Sequence, residues 1–286
     1  MLKNKLVPYS FLLPALLGLA IFKLYPLAMG FTDSFYQTIF MTGQKSFIGF
    51  GNYISLFKDP IFWKSIQVTL WMNLLINPIQ IGLSFALAIF LNKKVKGIDI
   101  FRTIQIVPIA VSIPIACIMF NIIMNPEQGV LNSMLVWMSL DPQPFLTSSG
   151  QAMWVIILLA TWKGVGYWML FLLAGLQEVP VSLYEASSID GASKWTQFRN
   201  VTFPMMKRPL VFVTVSTTVA NFLLFAPMYI LTGGGPQNST NVLMLEAYNS
   251  AFVYSDMGRA SAIIIVLLII ILLIISAQFM LLRAKH

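Results

Sequence analysis

The chain has 286 residues, 58% of them hydrophobic and 10% charged, with a mean hydropathy of +0.80, whereas soluble domains run at about 45–50% apolar and about 25% charged. Its solvent is therefore mostly lipid, and the formal net charge of +8 is what a membrane protein gathers at its cytoplasmic surface, not a sign of nucleic acid. One cysteine, Cys117, and one histidine, His286, exclude an intrachain disulfide and leave poor material for a Cys/His metal cluster or a buried histidine base.

Crossing roughly 30 Å of hydrocarbon takes about 20 apolar residues, and such runs lie near 10–31, 65–91, 103–124, 152–176, 209–231 and 260–282. The first follows Lys3 and Lys5 as a signal peptide would. It is too long for a typical h-region and lacks a clear small-x-small cleavage site, so a retained helix is expected. Segment 32–64 contains FIGFGNYISLFKD, whose glycines and aromatics predict a turn and a short interfacial helix, with Tyr53 and Trp63 suited to the headgroup region. Asn77-Pro78 in the second span reads as a kink or small break, and Asn125-Pro126 after the third as a helix end. Lys23 and Lys163 fall within apolar spans, where each is either a substrate-path charge or a snorkelling side chain. Snorkelling is the favoured reading for Lys23, near the outer end of its span. No repeat or soluble domain interrupts the pattern, so residues 1–286 are expected to form one membrane domain.

Basic residues orient the spans. With the N-terminus inside, the inner segments hold Lys3, Lys5, Lys93, Lys94, Lys96, Arg102, Lys194, Arg199, Lys207, Arg208, Arg283 and Lys285, against Lys45, Lys58, Lys64 and Arg259 outside. That asymmetry predicts a multi-pass membrane protein with both termini cytoplasmic.

The inner segment 177–208 reads QEVPVSLYEASSIDGASKWTQFRNVTFPMMKR. Pro180 and Ser182 can start a helix on which Leu183, Ala186 and Ile189 share a face, Gly191 permits a turn, and Ala192–Val201 can form a second helix that Pro204 ends. Periodicity alone is equally satisfied by an amphipathic pair resting on the membrane.

EASSIDGASKWTQFRNVTFPMM closely resembles the EAA loop of ABC importer permeases. Glu185, Ala186, Asp190, Gly191, Ala192 and Pro204 match that pattern, while Ser187 replaces the second alanine and Phe203 a leucine. MYILTGGGPQNSTNVL, with Gly233 to Pro236, resembles an element of carbohydrate permeases of the maltose and glycerol-phosphate transporter type, and Tyr25 to Leu27 adds YPL. Ala226 stands where many relatives carry a polar or acidic residue.

This resemblance implies an all-α integral membrane protein with six transmembrane helices in the ABC importer permease fold. It implies half of a translocation path for a sugar or oligosaccharide, and leaves a non-sugar solute such as glycerol phosphate as an alternative. The partners implied are a second permease subunit in a heterodimer, two ATPase subunits and an extracytoplasmic solute-binding protein. Residues 182–204 become the coupling hairpin, with Glu185, Ala186, Ile189, Asp190, Gly191 and Pro204 toward the ATPase.

The chain has no GxxxxGK[ST] segment, so ATP and Mg belong to the partner subunits and no cofactor is expected here. A six-span channel is disfavoured because Ile79 and Glu127 follow the two Asn-Pro pairs, where an aquaporin would carry alanine. A membrane enzyme would need converging groups. Glu127, Asp141, Glu246 and Asp256 all lie in outer loops, with no spacing that joins them, and no catalytic residue is assigned.

For the substrate path, Asn221 and Phe225 stand at i and i+4 in span five and Tyr229 continues that face. Span four adds Trp162, Tyr167 and Trp168, and span six adds Ser261. These supply the aromatic faces and hydrogen-bonding groups that sugars require. Helix packing or interfacial belts would account equally for the aromatics.

Overall fold

The computed structural model describes residues 7–39, 44–93 and 96–282. Of the basic residues expected on the inner side, Lys3, Lys5, Lys94, Arg283 and Lys285 lie outside that range. Two units are distinguished, Met1–Trp63 with Glu246–Ile269, and Lys64–Leu245 with Ile270–His286.

In the first unit, α1 (Val7–Leu19) runs through a π-helical turn at Ala20–Leu24 into α2 (Tyr25–Asp33), and Lys23 falls on that turn. Within this helical fold the following segment holds a short stretch of strand. It folds into an antiparallel hairpin of β1 (Tyr36–Ile39) and β2 (Gln44–Phe47), with Tyr36 opposite Phe47. Aromatic and β-branched residues suit a pleated pair, and the Tyr36 and Phe47 rings meet edge-on at 5.3 Å. The expected short helix is α3 (Gly51–Lys58), from which Asn52 donates to the carbonyls of Ser34 and Tyr36 at 2.8 and 3.0 Å. Arg259 completes the unit, bonded to Asp59 at 2.5 Å and to the buried Glu246 at 3.3 Å.

Helix α4 (Pro60–Leu91) starts five residues earlier than the apolar run and continues through Pro78 without a break. The third span does break. It consists of α5 (Ile98–Ala110) and α6 (Ile113–Ile123), bent by 100° about the extended residues Val111 and Ser112. Pro108 removes a donor from the end of α5, and Pro114 sits in the first turn of α6, where a missing N–H leaves nothing unpaired. Apolar length alone carries no information about this break. The short α7 (Val130–Trp137) precedes α8 (Ala152–Gln177), whose buried side chains run from Ala152 to Leu176.

Helix α8 is the core of the second unit. Trp168, Met169, Leu172 and Leu176 pack with Ala88, Leu91, Ile98, Met206 and Val213. A β-carbon on Gly166 would overlap the Gln105 carbonyl oxygen, so this glycine permits the close approach of α5 and α8.

Segment 177–208 forms α9 (Val181–Ile189), α10 (Lys194–Gln197), a π-helical turn at Phe198–Thr202 and α11 (Phe203–Met205). Span five begins as α12 (Lys207–Phe222), breaks at residues 223–225, and resumes as α13 (Ala226–Leu231). Helix α14 (Leu243–Tyr248) leads to α15 (Met257–Leu282). By length and apolar character Phe11–Asp33, Pro60–Leu91, Ala152–Gln177, Lys207–Leu231 and Met257–Leu282 can cross a membrane, and the bent α5–α6 pair counted as one span makes six.

Candidate functional site: a helical hairpin and an amide-lined cleft

The hairpin is stiff for reasons local to its sequence. Helix α9 closes with the Gly191 N–H bonded to Ser188 O at 3.1 Å and the Ala192 N–H to Ser187 O at 2.9 Å, the paired bonds of a Schellman motif. Gly191 has φ +75°, a conformation costing other residues roughly 1–2 kcal/mol. Ser193 caps α10 by accepting the Thr196 N–H at 3.2 Å. The two arms are tied by Gln197, which donates to Ser188 Oγ at 2.8 Å, and by a 3.0 Å bond between the Tyr184 and Thr202 hydroxyls.

Its outer face is apolar and uncovered: Ile189 is 87% exposed and Trp195 69%, with Leu183, Glu185, Ala186 and Asp190 also exposed. One expectation is corrected. Pro204 does not end the second arm but lies in the first turn of α11, with the π-helical turn immediately before it. The wider i to i+5 spacing accommodates the donor and the space that a proline denies to an α-helix.

The second unit also holds a cleft of about 480 Å³, lined in part by Gln80, Lys163, Tyr167, Trp168 and Asn221. Asn221 is 6% exposed and donates to Asn77 Oδ1 at 2.8 Å and Gln80 Oε1 at 3.0 Å. Gln80 Nε2 in turn donates to the Ala160 carbonyl at 2.8 Å, joining α4, α8 and α12. A further branch runs through Thr218, whose hydroxyl accepts from Asn77 at 3.4 Å and from Gln278 at 2.9 Å while donating to Thr214 O at 2.8 Å. Inside a membrane such groups need partners, and the bonds they make here specify how these helices meet.

The sequence-derived path residues separate into two sets. Asn221, Tyr167 and Trp168 line the cleft, although Trp168 is only 8% exposed and packs into the core. Trp162, Phe225 and Tyr229 do not line it; Trp162 is half-buried, 5.8 Å from the Phe120 ring. Asn221 and Phe225 do not share a continuous helical face, because span five breaks between them and Phe225 has φ −140°. Pro227 sits in the first turn of α13, where a missing N–H leaves nothing unpaired, so a new helix can start there after the break. Ser261 is half-buried on α15 in the first unit. Lys163 does not snorkel: its ammonium donates to the carbonyls of Pro108, at 2.9 Å, and Val111. Of the acids noted in the sequence, Glu246 accepts from the Arg259 side chain and Asp256 from the Arg259 main-chain N–H, and no group of three metal ligands occurs among the described residues.

Residues 79–285 match the family described as binding-protein-dependent transport system inner membrane component. The chain is 36% identical over 265 residues to the probable ABC transporter permease protein YurN of Bacillus subtilis, covering 91% of this chain and 90% of the other. It is 35% identical over 267 residues to the arabinooligosaccharides transport system permease protein AraP of the same organism, covering 91% and 83%. The fold is similar to a chain in the crystal structure of a bacterial alginate ABC transporter in complex with alginate pentasaccharide-bound periplasmic protein. The TM-score is 0.79 at 23% identity, over 96% of this chain and 93% of that one.

Proposed function

The chain belongs to the binding-protein-dependent transport system inner membrane component family, and from that premise we propose that it forms half of the translocation path for a sugar or oligosaccharide. Membership makes it a multi-pass membrane permease subunit, a transport component and not an enzyme. The observation that carries the mechanism is the hairpin: a stiff two-helix knob whose exposed apolar tip, Ala186 and Ile189, lies beside the exposed Glu185. An apolar plug with an adjacent carboxylate fits a groove lined by a basic residue, and a rigid element passes motion where a flexible loop would absorb it. In this reading two ATPase subunits bind ATP and Mg, seat the hairpin, and drive rocking against a second permease subunit. A solute-binding protein delivers cargo from outside.

The saccharide assignment draws on the likeness to AraP and on the chemistry of the cleft, where two aromatic rings stand beside buried amides. Both termini and the hairpin are placed in the cytoplasm on the basic-residue asymmetry. The test is reconstitution with the ATPase, the second permease and the co-encoded binding protein, whose cargo is identified by thermal shift across a panel of oligosaccharides. Glu185→Ala and Gly191→Pro should leave membrane insertion intact while weakening ATPase association and uptake. Normal uptake by both variants would remove the coupling assignment.

A further inference from the structure

Lys163 carries an arrangement that the transport reading does not require. The last carbonyls of any helix lack an intrahelical partner, and at membrane depth water does not supply one. At the broken third span this deficit falls on the end of α5, where Pro108 O and Val111 O both accept from Lys163 Nζ. A cation there also faces the negative end of the α5 dipole. Among the described residues no carboxylate pairs with Lys163; its hydrogen bonds go to the two backbone carbonyls, with the Cys117 thiol close by. Lys163 sits beside two close approaches of α8 to its neighbours, Gly164 against the Gln80 side chain and Gly166 against the Gln105 carbonyl. The lysine is thus anchored at its base by tight backbone packing and at its tip by the bend.

Both ends of this clamp bear on the cleft. Ile109 and Ile113 line it from either side of the bend, and Tyr167 and Trp168 line it from α8. We propose that Lys163 is a positioning residue of the transport path, its ammonium holding the bend of the third span against α8 so that these two walls keep their separation through the transport cycle. A neutral side chain would leave two carbonyls unpaired in a low-dielectric site, and the bend would open or shift to find other donors. The proposal rests on the cleft belonging to the path, and the experiment separates the two.

The chain supplies its own reporter, because its single cysteine, Cys117, is fully buried on α6 just beyond the bend; it also lies close enough to Lys163 to feel its charge, so each labelling rate is taken at its pH-independent plateau, where access sets it. Labelling by N-ethylmaleimide is followed in the assembled importer, isolated by gel filtration, for Lys163→Met, Lys163→Gln and Lys163→Arg. Losing a charge-assisted hydrogen bond should raise the labelling rate of Lys163→Met about 10-fold and lower uptake by a comparable factor, with basal ATP hydrolysis retained. Lys163→Arg keeps a cation able to meet both carbonyls and should restore both readouts, with Lys163→Gln between them. If Lys163→Met does not assemble, Lys163→Gln is judged against Lys163→Arg by the same criteria. Unchanged labelling in the neutral variant, or an arginine variant as impaired as the neutral one, overturns the clamp. Wild-type uptake by the neutral variant while Asn221→Ala remains impaired overturns the role of Lys163 alone. Wild-type uptake by both removes the cleft from the path.

Discussion

Replacing Asn221 by alanine tests whether the amide cluster shapes the path or only joins helices. The substitution removes the donor to Asn77 Oδ1 at 2.8 Å and to Gln80 Oε1 at 3.0 Å. Polar interactions between membrane helices average about 0.6 kcal/mol and reach about 1.7, so two lost bonds should cost about 1–3 kcal/mol. Gln80 keeps its bond to the Ala160 carbonyl and Asn77 its contact with Thr218, which restrains both side chains and favours the lower part of that range. Denaturation of the detergent-solubilised complex measures the loss, and uptake in proteoliposomes measures its functional share. Uptake should fall while assembly and basal ATP hydrolysis persist. A double-mutant cycle with Asn77→Ala should return a coupling of about 0.6–1.7 kcal/mol. Coupling within about 0.3 kcal/mol of zero would refute the cluster as an energetic unit. A stability loss with wild-type uptake would reduce Asn221 to helix packing.

Gly166→Ala should destabilise the second unit by about 1–3 kcal/mol, because the new β-carbon meets backbone and not a movable side chain; an unchanged melting temperature would show that α5 and α8 are not closely apposed. Arg259→Met withdraws a cation from between Asp59 and the 3% exposed Glu246. It should cost about 3 kcal/mol or more, and Arg259→Lys should recover part of it in the same melting assay. In a chain with Cys117 replaced by serine, cysteines at Lys45 or Gln143 should react with an impermeant maleimide from outside whole cells, and one at Lys194 should not; the reverse pattern would invert the topology.

The spans and the hairpin were legible in the sequence because their causes are local. Apolar length sets where a helix can cross lipid, and Gly191, Ser193 and the stripe Leu183, Ala186, Ile189 determine a turn and its exposed face within a dozen residues. The amide cluster was half visible: Thr69, Asn73, Asn77, Gln80 and Ser84 recur three or four residues apart along an apolar span and so mark one face of α4. Nothing along the chain says what that face meets. Asn77 and Asn221 are 144 positions apart, and their pairing exists only once α4 and α12 lie side by side. The same holds for Lys163. Snorkelling and a path charge were both open to a lysine in an apolar run, and a third partner appeared only when the bend at Val111 turned two backbone carbonyls toward it. In lipid a polar group without a partner is costly; the residue types say which groups are in need, and only the packing of distant helices decides which of them satisfy one another.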